Sequence, residues 1–367
     1  MLFGALRAIS TPLIFFAICS AICEMGDIAT FNRFGKRIMY RFILHALFVS
    51  IIVACYIISF VSAESGQGHL GSDFSSIYKM VLDIVPSDGV TRFQSGNTLQ
   101  VIFIAIVTGL VLLILGDRIS PVKTAVYLLN EIANFTMVLF SRIIPLFVFL
   151  SIFGIFLSHI TSGLGEFLKI PILFIAGSYS IIAIYITAAS ITFRLSPLLL
   201  IKKLLPVHVI GLTTASSAVS FGKNLETSEH YLGIPREITN FAVPIGQVAF
   251  RPGAILEYFV VAGCLAEFFG IPVTLPWIAK AVIVITLTSI AAPPVPGAGL
   301  MVFSVIFAQL SIPPEAIAIG AVADAVLDFP NTACSVTSLQ LELIFGAKAL
   351  GKLNKRILKE PISIIEE

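Results

Sequence analysis

The sequence predicts an all-α polytopic membrane protein, and three observations carry that expectation. Of 367 residues, 57% are hydrophobic and 12% charged, against about 25% charged in an ordinary soluble domain. The mean hydropathy is +1.00, and apolar runs close to the ~20 residues that cross a bilayer recur along the chain. Two shorter tracts, rich in small residues and punctuated by Gly and Pro, interrupt that rhythm. The net charge of +2 favours no charged partner, so nucleic acid is not expected as one.

Taken in order, "MLFGALRAISTPLIFF" opens the chain with Pro12 inside an apolar run and without a small-residue cleavage site. It reads as a spanning helix and not as a removable signal peptide. Apolar length and lack of charge predict helices at about 8–25, 40–63, 98–116, 122–158, 168–194, 236–265 and 313–345. Arg33, Lys36, Arg37 and Arg41 crowd the first loop, Arg118 and Lys123 another, and Lys202 and Lys203 a third. Lys348, Lys352, Lys355, Arg356 and Lys359 make the C-terminal tail basic. An even number of crossings separates these clusters, so the positive-inside rule places all of them, and the C-terminus, in the cytoplasm. The longer polar stretch, 64–97, is then external. Cys19, Cys23, Cys55, Cys264 and Cys334 lack paired spacing and sit in apolar segments, which predicts core thiols and neither a disulfide framework nor a zinc site.

The two small-residue tracts are "GLTTASSAVSFG" (211–222) and "TSIAAPPVPGAG" (288–299), each flanked by short apolar arms. Both read as re-entrant hairpin tips. Irregular backbone at membrane depth persists only where it is buried in protein or lines a wet cavity, so the tips are expected to face a site. A long apolar helix follows each tip and is itself interrupted, at Phe250 to Ala254 in "QVAFRPGAILEY" and at Asp328 to Ser335. Pro and Gly are frequent in membrane helices and often only kink them. Four interruptions in the order hairpin, broken helix, hairpin, broken helix match secondary transporters instead, whose sites lie between half-helix ends and freed carbonyls near the midplane.

Along "DAVLDFPNTACSVTS", Asp324, Asp328, Asn331 or Thr332, and Ser335 recur three or four apart, which puts them on one helix face. Ionisable residues inside a membrane mark a functional site by default. The plainer alternative for Asp324 is that it caps or glues a neighbouring helix.

Six motifs then fall in order: "LDIVPSD" (82–88), "NTLQVIF" (97–103), "TASSAVS" (214–220), "VPIG" (243–246), "VPGAG" (295–299) and "DAVLD" (324–328). On these, over nearly the whole chain, the sequence resembles the dicarboxylate/amino acid:cation symporter family, the glutamate-transporter homologues. The resemblance implies a glutamate-transporter-like fold with two re-entrant hairpins and two broken helices. It also implies a homotrimer, in which a scaffold domain holds a transport domain that crosses the membrane like an elevator. The family has one further helix ahead of "LRAISTPLIFF", so the first scaffold helix is expected to be missing or to lie upstream. Mapped on this chain, 1–63 supplies scaffold and transport helices, 64–97 the external loop, and 98–205 scaffold helices with one transport helix. The transport core is 206–345 and the cytoplasmic tail 346–367. Substrate is implied between Ser216 and Ser217 of one tip, Pro296, Gly297 and Gly299 of the other, Arg251 and Gly253 of the first broken helix, and Asp328, Asn331, Thr332 and Ser335 of the second.

Several of these positions depart from the family. Where it usually reads NMDGT, this chain has "FRPGA" (250–254), and neither Phe250 nor Pro252 offers side-chain oxygen to a hard cation. Leu339 stands where the family has a sodium-ligating Asp, and Arg41, Leu44 and His45 where it has hydroxyl and tyrosine contacts. Sodium coupling is therefore expected to be weakened, surviving through backbone carbonyls around Ser289, Ile290 and Ala292, with Gly246 and Asp324 among the coupling positions. Proton coupling is the alternative, with Glu257, His45 and the Asp pair as carriers. Arg251 is expected to supply the lost positive charge, paired with Asp324 or Asp328.

Asp328 matches the carboxylate that binds a substrate amino group, which favours an α-amino acid. Asn331 replaces the arginine that clamps an acidic side chain, and Asn lacks the forked, charge-assisted contact. A neutral amino acid is thus expected over glutamate or aspartate. The alternatives are an acidic amino acid or dicarboxylate clamped by Arg251, and an uncoupled, channel-like or regulatory relative. No HExxH helix, GxGD motif or serine nucleophile with a membrane histidine is present, so neither an enzyme nor a cofactor beyond the coupling ion is expected. Short loops fit a bacterial inner membrane.

Overall fold

A computed structural model of the chain describes residues 35–61, 98–141, 164–291 and 298–361, and ahead of them positions 12, 15, 16, 19, 20, 22 and 23. The anticipated external loop, 64–97, and residues 292–297 of the second tip, among them Ala292, Pro296 and Gly297, lie outside the described residues. Every regular element among the described residues is helical. In chain order they are α1 (Lys36–Ile58), α2 (Thr98–Leu115), α3 (Ser120–Ser141), α4 (Leu164–Phe193), α5 (Pro197–Thr214) and α6 (Ser217–Glu226). A π-helical turn (Thr227–Tyr231) leads to α7 (Arg236–Ala249) and α8 (Pro252–Phe268). The rest are α9 (Leu275–Ala291), α10 (Ala298–Leu310), α11 (Ala316–Ala349) and α12 (Lys355–Lys359).

Five spans among these are long and apolar enough to cross a membrane: Lys36–Ile58, Leu168–Phe193, Pro197–Thr214, Arg236–Phe268 and Ala316–Ala349. Their surface is inverted relative to a soluble protein. Ile43, Phe48 and Ile51 of α1 and Ile172 and Ile175 of α4 are exposed, while Glu257 and Glu342 are buried. Lipid tolerates that arrangement and water does not.

The chain divides into two compact units. One comprises Met1–Ile28, Ser50–Pro171 and Tyr258–Val326. Within it α9 packs on α10 and α2, and aromatic contacts fill the core, with Tyr258 edge-on to Phe303 and Phe303 against Phe307. Thr286 donates to Ser50 Oγ at 2.6 Å, Lys169 pairs with Glu267, and the Trp277 indole N–H reaches the Leu310 carbonyl at 3.1 Å.

The other unit comprises Ala29–Val49, Ile172–Glu257 and Leu327–Glu367. Here α5 and α6 form a helical hairpin that turns at Ala215, whose φ of 48° is left-handed, and Ser216, which caps α6 by accepting from Val219 N–H. Gly211 lets α5 approach the Ala333 backbone of α11, because a Cβ there would stand 2.9 Å from Ala333 Cα. A buried amide lock joins these elements. Gln340 donates to Asn224 Oδ1 at 2.8 Å, Asn224 donates to Ser220, and Ser228 donates to Gln340 Oε1 at 2.8 Å. Each polar group gains a partner that lipid or apolar packing would deny it.

The structure corrects four sequence expectations. The first interruption is confined to Phe250 and Arg251, because Pro252 is the first residue of α8, where its missing N–H costs nothing. The second helix is not broken: α11 runs unbroken through Pro330. The carbonyl four residues back that Pro330 cannot bond belongs to Val326, which is 61% exposed, so the defect sits on the outer side. Lys202 and Lys203 are helical, not a loop, and Lys36, Arg37 and Arg41 belong to α1. Cys55 is exposed, unlike the buried Cys19, Cys23, Cys264 and Cys334.

Lys203 has a structural use that its basic character did not suggest. It is 1% exposed, and its ammonium donates to the carbonyls of Tyr231 (2.8 Å), Ile357 (2.8 Å) and Leu358 (2.9 Å). The C-terminal segment is thereby fastened to α5, aided by Asn354 N–H donating to Gly233 O and by the Lys352–Glu237 pair. K203M should keep the buried stem yet strand three carbonyls, lowering stability by about 2–4 kcal/mol. A lower Tm in detergent and faster proteolysis of the tail are the expected readouts; an unchanged Tm would contradict the staple.

Candidate functional site

Where α7 gives way to α8, the chain turns because Phe250 is extended (φ −131°) after donating its N–H to Gly246 O at 2.9 Å. Gly246 O therefore already serves the helix end. Phe250 is fully buried, stacked on Phe42 at 5.7 Å between ring centroids, with Tyr185 edge-on at 6.3 Å. Leu339 and Phe42 press on Gly246 so closely that a Cβ there would collide with both. Two positions where the resemblance implies side-chain ligands, Phe250 and Leu339, are thus part of an apolar cluster. A hard cation gains nothing from such walls.

The next residue, Arg251, faces Asp328 of α11 electrostatically, and Thr332 hydrogen-bonds the same carboxylate one turn on. Of the two carboxylates expected near Arg251, Asp328 is within electrostatic range of it. Both Arg251 and Asp328 are partly exposed, whereas Phe250 and Pro252, on either side of Arg251, are buried.

Behind this pair, α8 and α11 are joined by a buried chain of polar contacts. Gly253 N–H donates to Ser335 Oγ (3.2 Å), Ser335 donates to Asn331 Oδ1 (3.3 Å), and Asn331 Nδ2 donates to Glu257 Oε2 (2.6 Å). Residues 253 and 257 are one turn apart, as are 331 and 335, so one turn of each helix is zipped to the other. Glycine is required at 253. A Cβ there would meet Asn331 Oδ1 at 2.7 Å and Ser335 Oγ at 2.8 Å. Asn331 and Ser335 are therefore buried second-row residues whose polar atoms are already engaged.

The first tip joins the same region through Gln247 of α7, whose amide donates to Ser217 O at 3.0 Å. Ser216 spends its hydroxyl on the α6 cap. In the other unit, Gly299 lies in the first turn of α10 with the Asp324 carboxylate against it. That places Asp324 beside a helix N-terminus, where backbone N–H groups favour a negative charge, so its capping role has structural support. Ser289 and Ile290 fall in the last turn of α9, whose final carbonyls have no partner within the helix.

One residue of this region escaped the sequence reading. Glu342 of α11 is 1% exposed and carries Arg41 and His45 of α1 on its carboxylate. It stands seven residues beyond Ser335 on the same face of α11, so extending the stripe by two turns would have found it.

With that geometry in hand, comparisons with known proteins are informative. The chain matches the sodium:dicarboxylate symporter family over residues 1–341 and belongs to that family. It is accordingly a multi-pass membrane transporter of the cation-coupled symporter class and not an enzyme. It is 24% identical, over 99% of its length and 89% of the relative's, to the proton/sodium-glutamate symport protein of Geobacillus stearothermophilus. It is 25% identical to the proton/glutamate-aspartate symporter of Escherichia coli strain K12, covering 96% of this chain and 84% of that one. A C4-dicarboxylate transport protein of Xanthomonas campestris pv. campestris is 26% identical, covering 84% and 71% respectively.

Two Gly→Ala substitutions are expected to have opposite signs. G253A should cost about 1–3 kcal/mol by overpacking the α8–α11 zipper. G222A, where nothing lies within 4 Å of the added Cβ, should be neutral or gain up to about 1 kcal/mol of helix propensity. Tm values of the two purified variants in detergent decide it, and equal shifts would contradict the described packing.

Proposed function

We propose that the protein is a secondary active symporter of neutral α-amino acids that works by an elevator mechanism, as a homotrimer in a bacterial inner membrane with a cytoplasmic C-terminus. The observation that carries the substrate class is the Arg251 guanidinium at the helix break, within electrostatic range of the Asp328 carboxylate. A partly exposed cation beside a partly exposed carboxylate is complementary to a zwitterion: the substrate carboxylate meets Arg251 and its ammonium meets Asp328. Asn331, in the position expected to read the side chain, already donates its amide to Glu257. A second carboxylate on the substrate would approach a buried negative charge there, which is unfavourable in low dielectric.

Around this core, Ser216 and Ser217 of the first tip and Pro296, Gly297 and Gly299 of the second would close over substrate, with Thr332 orienting Asp328. Gly253, Asn331 and Ser335 act as the rigid backing. Residues 206–345 would form the moving core and 98–205 most of the scaffold. Backbone carbonyls of Ser289 and Ile290 remain the candidate sodium contacts.

The second reading is an acidic amino acid or C4-dicarboxylate, with Arg251 as clamp. It is favoured by the relatives, which are named for glutamate, aspartate and C4-dicarboxylates. Competition against labelled serine and labelled aspartate uptake in proteoliposomes separates the two. Unlabelled neutral amino acids should compete best, and strong competition by aspartate or succinate alone would establish the second reading. R251M should lower uptake of the preferred substrate by at least about a hundredfold, because it leaves a carboxylate without its charge partner. Unchanged uptake would remove Arg251 from the site.

A further inference from the structure

We infer that Glu342, Arg41 and His45 form a proton-binding site that couples transport to the proton gradient, a reading that rests on the symporter function proposed above. Arg41 donates from Nε to Glu342 Oε1 at 2.9 Å, and its Nη2 stands 2.8 Å from the same oxygen. His45 Nδ1 contacts the other oxygen, Oε2. The two oxygens of one buried carboxylate are thus divided between a fixed cation and a titratable ring. Arginine stays charged, so it neutralises the carboxylate in every state. Histidine is the side chain suited to gain or lose a proton in the physiological range. Proton uptake therefore takes this cluster from net zero to net positive without leaving a bare buried anion at either stage.

Access and communication are both present. The His45 side chain is 28% exposed, against 1% for Glu342, so the ring is the more accessible of the two titratable groups. A small cleft lined by Ile38, Arg41, Phe42, Ile238 and Glu342 opens on the guanidinium side. Toward the substrate, Phe42 lies on α1 beside Arg41 and stacks on Phe250, the residue at the helix break that precedes Arg251. A shift of α1 on protonation is thereby transmitted to the Arg251–Asp328 pair by packed rings.

The other charged and titratable groups around the cluster are accounted for. From α4, the Tyr185 hydroxyl interacts with both Glu342 and Arg41. From α7, Glu237 pairs with Lys352. On α11 itself, Lys348 lies over the Phe193 ring at 5.1 Å.

The test uses the full-length protein in liposomes with trapped pyranine, and asks whether uptake of serine, alanine, aspartate or glutamate alkalinises or acidifies the lumen. Wild-type uptake should carry protons inward. H45N keeps the Arg41–Glu342 pair, and it should retain substrate exchange between the two sides while uptake-linked proton flux falls about tenfold or more, as expected when a coupling energy is removed. E342Q should behave likewise, and if loss of the carboxylate prevents folding, H45N alone decides. Wild-type proton flux in H45N overturns the site. Wild-type uptake without proton movement overturns proton coupling but leaves the transport reading intact. Absence of any exchange in the wild type removes the transport reading and the proton site with it.

Discussion

Charge placed in an apolar interior has to be met by opposite charge or by hydrogen-bonding dipoles, and this requirement organises the unit that holds Arg251, Asp328 and Glu342. Taking an ion out of water costs several kcal/mol, and removing one partner of a buried pair costs about 3–5 kcal/mol. Glu342 is met by Arg41 and His45, Asp328 by Arg251, and Glu257 by the Asn331 amide. Lys203, the buried ammonium of α5, is met by three carbonyls. The pairs run between different helices, so each fixes a helix-to-helix distance as well as a charge balance. The break at Phe250 and Arg251 falls within electrostatic range of Asp328.

The apolar cluster of Phe42, Phe250 and Leu339 is the counterpart of these pairs. A metal ion brings its own charge and demands oxygen ligands, whereas a guanidinium carries charge on a tether and demands only acceptors. A chain that supplies Arg41 and Arg251 can therefore line the neighbouring space with rings and a leucine. On the coupling proposed above, fixed arginines would balance the carboxylates and the mobile charge would be left to a group that titrates.

Much of this was legible in the sequence because the signals were local. The break at 250–251 follows from Arg, Pro and Gly in succession, and the α5–α6 hairpin from "TASSAVS" between apolar arms. The unbroken course of α11 was not legible, since whether Pro330 breaks or merely interrupts one hydrogen bond depends on what surrounds Val326 O. Lys203 read as a loop charge because its partners lie at 231, 357 and 358, far along the chain. Glu342 was overlooked although its spacing from Ser335 was available. What made it meaningful was the pairing with α1, whose His45 the sequence named as a proton carrier but without a partner. Asn331 was correctly placed beside Ser335 but its orientation toward Glu257 required the fold.

The central claim is that side chains, and not a bound metal, carry the coupling charge. Its most direct test is accumulation of labelled substrate in proteoliposomes under an inward proton gradient, with all sodium replaced by choline. The account predicts accumulation above equilibrium without sodium, abolished by collapsing the pH gradient. Accumulation that requires sodium and ignores the pH gradient would contradict it.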